Sequence, residues 1–259
     1  MIPYSFLDTL ADAASAAILP HFRKLSQIDN KRVGDFDPVT IADRAGEAAM
    51  RALIEQHYPD HGILGEELGT KASDADQVWI LDPIDGTRSF IAGIPVWGIL
   101  IGHKTNHHAD IGMMCQPFTG ERFFGDTKRA WYRHDTTKTM KTEIRTRACP
   151  SLSEATLFTT SPTLFKPEEI GAYRAVESRV RLARYGTDCY AYCMVASGHA
   201  DIVIESGLNA YDIAALIPII EGAGGRVSTW QGENPVFGGA IIACGDPALH
   251  ERVLEILNA

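Results

Sequence analysis

Four short stretches put carboxylates where a chemical site can use them. The densest is Trp79-Ile80-Leu81-Asp82-Pro83-Ile84-Asp85-Gly86-Thr87, in which two aspartates follow an apolar run. The run 78–81 reads as a buried strand ending at Asp82, with Pro83 and Gly86 forcing a turn. Both acids then fall at a strand's carboxyl end, where open α/β folds build their sites. They could equally serve Asx turns. Gly86 and Thr87 offer backbone N–H groups at a helix start, a natural phosphate seat. Gly65-Glu66-Glu67 adds a second acidic element, unremarkable as surface charge. Asp212, in Ala210-Tyr211-Asp212-Ile213, opens an apolar helix, where the dipole alone favours an acid. Thr40-Ile41-Ala42-Asp43 fits a capping box, which would make Asp43 structural. Oxygen donors without Cys or His suit Mg²⁺ rather than zinc, and carboxylates converging on one pocket repel unless cations intervene. Two such ions about 3.5–4 Å apart stabilise the attacking and leaving oxygens of an in-line displacement.

Taken together, the Gly-Glu-Glu, Asp-Pro-Ile-Asp-Gly-Thr and Tyr-Asp-Ile-Ala elements, in this order and spacing, resemble the inositol monophosphatase-like metal-dependent phosphatases. The likeness runs from about Lys31 to Gly225, with Tyr211 standing where the family more often has Trp. It implies an αβαβα sandwich of α/β class, usually a homodimer, that hydrolyses a small phosphate monoester with two to three Mg²⁺ ions. Glu66, Asp82 and the Ile84 carbonyl would hold one ion. Asp82 would bridge to a second, shared with Asp85 and Asp212, and a third, weaker ion would sit near Glu66. Asp43 and Thr87 would orient the attacking water, and the phosphate seat would run over Asp85, Gly86 and Thr87.

Substrate choice rests on the second half of the chain. The segments 185–192 and 205–212, with 85–93, resemble the histidinol-phosphatase branch of the family. Asp188 stands where the inositol-phosphatase branch usually has a small neutral residue, and Glu205 occurs in both branches, facing the leaving group. Two carboxylates suit the amine and imidazole of L-histidinol phosphate better than a neutral polyol. Alternatively, Asp188 only caps its helix. Inositol monophosphate or a broad range of sugar phosphates remains the rival substrate class. A metal-binding protein without catalysis is the outsider, and the presence of Glu66 and Thr87 speaks against it.

Other polar features read as structure. His107-His108 lies in a polar turn without ligand spacing to other histidines. Cys189 and Cys193 lie one helical turn apart on an apolar face, and the glycines at 222–225 follow a helix and read as its C-cap.

The elements that must position these residues alternate between periods. Helices are expected at 7–22 with a break at Pro20, on the face defined by Ala45, Ala49, Leu53 and His57, and at 168–177, 188–196, 213–221 and 247–257. Strands are expected at 96–103, 111–115, 122–124, 130–133, 156–160, 179–183, 201–205, 226–229 and 240–244. This mixture implies helices layered on sheets. The chain reads as a single phosphatase domain, 1–259, in a metal-binding half of about 1–145 and a substrate-selecting half of about 146–259, with the hinge at 138–150. The polar segment 27–38 reads as a mobile loop that orders with metal and substrate, bringing Lys31 or Arg32 towards the phosphate. The chain has 45% hydrophobic and 22% charged residues, as a globular protein does, and a formal charge of −9 that argues against a nucleic-acid partner. Five cysteines without a CxxC pair, no signal peptide and no apolar run long enough to span a membrane lead us to expect a cytoplasmic protein.

Overall fold

Strands buried on both faces carry this fold, and their side chains show which layers meet. The computed structural model describes residues 2–24, 28–30, 38–72, 74–137 and 140–259. The chain begins with α1 (Tyr4–Ile18), a 3-10 turn over Leu19–His21 that contains Pro20, the antiparallel pair β1 (Ile28–Asn30) and β2 (Pro38–Thr40), and α2 (Ile41–His57). Next come β3 (Gly62–Gly65), β4 (Gly69–Lys71), β5 (Gln77–Asp85), the short α3 (Thr87–Ile91), β6 (Gly98–Thr105), β7 (His108–Gln116), β8 (Glu121–Gly125), β9 (Ala130–His134) and β10 (Thr142–Ile144). Strands β3 to β10 form an eight-stranded sheet of order β10-β9-β8-β7-β6-β5-β3-β4. The rest comprises β11 (Thr156–Thr159), α4 (Ile170–Glu177), β12 (Leu182–Tyr185), α5 (Asp188–Ala196), β13 (Ile202–Asn209), α6 (Ala210–Ile213), α7 (Ile217–Gly222), β14 (Arg226–Thr229), β15 (Gly238–Cys244) and α8 (Pro247–Leu257). Its five strands are ordered β12-β11-β13-β15-β14.

Period-two alternation sorts these strands into three cores. On β5, Trp79 and Leu81 join Leu7, Leu10 and Ile54 of α1 and α2, whereas Val78 and Ile80 turn to the opposite face and join α5, α6 and α7. On β13, Val203 enters that same central core, whereas Ile202 and Ile204 pack with Tyr173, Val176, Leu249 and Val253 of α4 and α8. The layers are therefore α1/α2, the large sheet, α5–α7, the small sheet and α4/α8: an αβαβα sandwich. Among the described residues no helix is long and apolar enough to cross a membrane.

Several elements differ from the sequence reading. β5 runs on to Asp85 instead of ending at Asp82, because it keeps pairing with β6 through a register shift between Asp82 and Asp85 that absorbs Pro83. The helix expected at 213–221 is two helices, α6 and α7, since Pro218 in the first turn of α7 has no N–H with which to continue the ladder. The strand expected at 179–183 starts at Leu182, because residues 178–180 close the C-terminus of α4 through bonds back to Arg174, Val176 and Glu177. The 27–38 segment contains β1 and the first residue of β2. Its residues 31–37, Lys31 and Arg32 among them, lie outside the described residues, as do 138 and 139 of the expected hinge. Beyond β10 the chain is tied to the second half: Thr146 N donates to Ala223 O (3.0 Å), and Arg147 grips the buried Asp201 through bonds of 2.8 and 2.6 Å.

One feature of the large sheet sets where α6 and α7 sit. Gly102, Gly112 and Gly125 face one another in register across β6, β7 and β8. A Cβ on Gly112 would lie 2.0 Å from Ala215 O, one on Gly125 2.4 Å from Pro218 O, and one on Gly102 2.9 Å from Ala215 N. The glycine row is a trough that admits the backbone of the α6–α7 joint.

Candidate active site

The trough brings Asp212 of the second half against the end of β5. Oxygens of Asp82, Asp85 and Asp212 lie within 4.8 Å of one another, the group of potential metal ligands among the described residues. Each carboxylate is aimed by its own backbone contact. Asp82 Oδ1 accepts from Ile84 N (3.0 Å), which closes the bulge. Asp85 Oδ2 accepts from Cys189 N (2.7 Å), so the first half caps α5 of the second. Asp212 Oδ2 accepts from Asn209 N (2.6 Å) in a reciprocal capping box. The structural role available to Asp212 is thus realised, and its carboxylate still reaches the cluster.

Burial pushes the Asp82 carboxyl well above the usual range, and the charges of Glu66, Asp85 and Asp212 push it further; Glu66 also hydrogen-bonds to it. Asp85 is raised likewise, first by burial and then by Asp188 and Asp212, against the opposing bond from Cys189. Carboxylates raised by one another are a site that lacks positive charge. The donor set is all hard oxygen and fits Mg²⁺ or a similar hard divalent cation.

Around this core, Thr87 Oγ1 donates to Ile84 O (3.1 Å), and Gly86 stands as N-cap of α3 at φ +85°. The first-turn N–H groups of α3 have no partners within the helix. Asp43 is buried in the first turn of α2, outside the three-carboxylate group, and the side chain of Thr40, its capping-box partner, lies outside the described residues. Asp188 is not the cap of α5. Thr187 holds that position, and Asp188 follows it at φ +43°, a strained conformation for a non-glycine residue. Its Oδ2 accepts from Ser89 Oγ (2.8 Å) and would lie 2.9 Å from a Cβ on Gly86. Glu205 is buried and accepts from Thr159 Oγ1 (3.2 Å), Thr160 N (2.6 Å) and Thr160 Oγ1 (3.0 Å). Burial nevertheless pushes it up to about 7, with the Asp188 charge adding to the rise.

Ser89 and Tyr192 were missed as site residues. Tyr192 is 3% exposed, its hydroxyl has no hydrogen-bond partner among the described residues, and the charges of Glu205, Asp85 and Asp212 reinforce burial in raising its phenol. Its position one helical turn after Asp188 was the available signal. Cys189 and Cys193 are buried free thiols of the central core, as their spacing suggested.

A carboxylate cluster at a strand end, shared between two halves of a five-layer sandwich, fits a metal-dependent phosphatase. The chain belongs to the inositol monophosphatase family, whose model matches residues 4–259. It is 44% identical over 262 residues to the chloroplastic bifunctional phosphatase IMPL2 of Arabidopsis thaliana, covering 97% of this chain and 73% of the relative. It is 34% identical over 255 residues to a histidinol-phosphatase of Mycobacterium tuberculosis, covering 96% and 95%. Among solved structures, an inositol monophosphatase from Zymomonas mobilis superposes with a TM-score of 0.86 at 40% identity, covering 98% of this chain and 97% of that one.

Proposed function

We propose that this phosphatase hydrolyses L-histidinol phosphate to L-histidinol with Mg²⁺ as its cofactor. The observation that carries the choice of ester is the pair Asp188 and Glu205 beside the metal-site carboxylates, with Asp188 held in a strained backbone and oriented by Ser89. Strain at a functional position is retained where the side chain's placement matters. Two acids flanking the leaving group favour a cationic alcohol, and the Mycobacterium tuberculosis histidinol-phosphatase supports the same reading.

In this reading Glu66, Asp82, the Ile84 carbonyl, Asp85 and Asp212 hold two ions, with a third near Glu66. Bound Mg²⁺ supplies charge neutralisation for the phosphate and lowers the pKa of the attacking water. The protein's own part is orientation. Gly86 and Thr87 offer first-turn N–H groups to the phosphate oxygens. Thr87 Oγ1, its proton committed to Ile84 O, presents lone pairs to a water's hydrogen, and Asp43 is the acid assigned to the same water. Asp188 and Glu205 receive the cationic leaving group.

The Zymomonas mobilis inositol monophosphatase favours a second reading, a polyol phosphate substrate. Phosphate release from histidinol phosphate and inositol 1-phosphate, each with Mg²⁺ and with EDTA, tests both. A higher kcat/KM for inositol 1-phosphate would reject the first reading, and equal turnover in EDTA would reject the metal mechanism. Homodimer formation is also proposed, supported by half-exposed Ile94 and Phe118; sedimentation as a monomer would reject it. The cytoplasm remains the proposed compartment, supported by five free cysteines.

A further inference from the structure

Glu66 sits in the short turn between β3 and β4, and a turn by itself is poor support for a metal ligand. The main chain of this turn is held from two sides. Towards the sheet, Glu66 N donates to Leu81 O (3.2 Å), one residue before Asp82. On the other side stands Glu47, fully buried on α2 one helical turn after Asp43. Glu47 Oε2 accepts from Glu67 N (2.7 Å), and its Oε1 accepts from Leu68 N (3.2 Å) and from Arg51 Nε (2.6 Å). Arg51 also reaches Gly69 O at the far end of the turn. Gly65 lets the two come together, since a Cβ there would lie 1.9 Å from Glu47 Oε1.

We propose that Glu47 is a positioning residue for the metal centre: its carboxylate clamps the 65–69 turn by two backbone N–H groups and thereby fixes where the Glu66 carboxylate meets Asp82. A buried carboxylate that takes two main-chain donors and one guanidinium is fixed in place, and Glu47 lies outside the three-carboxylate group formed among the described residues, so its part is to orient the turn. The proposal rests on the reading of Glu66 as a metal ligand. Residues that hold ligands in place typically govern metal affinity by about ten- to a hundredfold.

The test is calorimetric Mg²⁺ titration of the folded protein, with its melting temperature in EDTA and with KM and kcat at saturating Mg²⁺. Glu47→Gln keeps the shape but turns one acceptor into a donor facing a backbone N–H. We expect Mg²⁺ affinity to fall about tenfold or more, with KM for substrate unchanged and kcat recovering as Mg²⁺ saturates. A lower melting temperature in EDTA with unchanged Mg²⁺ affinity would overturn the proposal, since a merely structural buried acid behaves that way. Glu66→Gln in the same titration separates the two levels. If it too leaves affinity unchanged, the ligand reading itself fails; if it alone weakens binding, only the role of Glu47 fails. Should Glu47→Gln not fold, Arg51→Gln decides: weaker Mg²⁺ binding supports the clamp, and unchanged binding overturns it.

Discussion

Replacing Asp188 by asparagine separates charge from backbone. Asparagine accepts a positive φ more readily than most residues, so the +43° conformation costs the variant no more than the wild type, and the start of α5 should be undisturbed. Ser89 Oγ, 2.8 Å away, can still donate to the amide oxygen. That choice turns the NH₂ group towards the leaving group, so an acceptor becomes a donor and a charge disappears. One charge-assisted hydrogen bond is worth about 1.5–3 kcal/mol. Hence kcat/KM for histidinol phosphate should fall roughly ten- to a hundredfold. Inositol 1-phosphate has no cation to lose a partner, and its kcat/KM should move by less than about threefold. The assay is phosphate release for both esters at saturating Mg²⁺, with the melting temperature in EDTA as the control for folding. Equal losses on both esters would refute the reasoning, because they would mean that Asp188 acts through Asp85, whose carboxyl it raises, and not on the substrate.

Asp82→Asn should nearly abolish turnover while leaving the circular dichroism spectrum intact; near-normal activity at saturating Mg²⁺ would exclude a bridging role. Glu205 binds its proton more tightly when folded, at about 7 against 4.5. The native state therefore holds more protons than the unfolded state across that window, and this residue's contribution to stability falls as pH rises through it. In EDTA, Glu205→Gln should accordingly gain stability relative to wild type between those values, and a constant difference by denaturant titration would contradict the assignment. Gly112→Ala should cost about 1–3 kcal/mol or more by overpacking against Ala215, and it should weaken Mg²⁺ binding in the molecules that remain folded. A stable variant with normal metal affinity would show that the joint does not set Asp212.

Local signals were legible in the sequence, and pairings over distance were not. The Asp82–Asp85 spacing, the helix at 247–257 and the amphipathic face of α2 each depend on a few consecutive residues, and the structure contains all three elements. The extension of β5 to Asp85 depends on β6 accepting a register shift, which no property of 82–85 announces. The break between α6 and α7 was announced by Pro218 but hidden by the apolar run around it. Ser89 finds Asp188 across 99 positions and Glu47 finds Glu67 across 20, so neither partner could be read from local pattern. Gly102, Gly112 and Gly125 lie in three separate strands, and their purpose appears only when the three stand side by side.

On the proposed ligand set, that row of glycines would make ion concentration a term in the folding equilibrium of the chain. The α6–α7 joint rests on bare strand backbone, so the second half reaches the position that brings Asp212 to Asp82 and Asp85 only when fully seated. An ion held by all three acids, as proposed, would bind the seated state in preference to any other. By mass action it adds about 2.7 kcal/mol at a hundred times its dissociation constant. Medium magnesium would then govern how long the chain survives proteolysis or heat, as well as how fast it turns over.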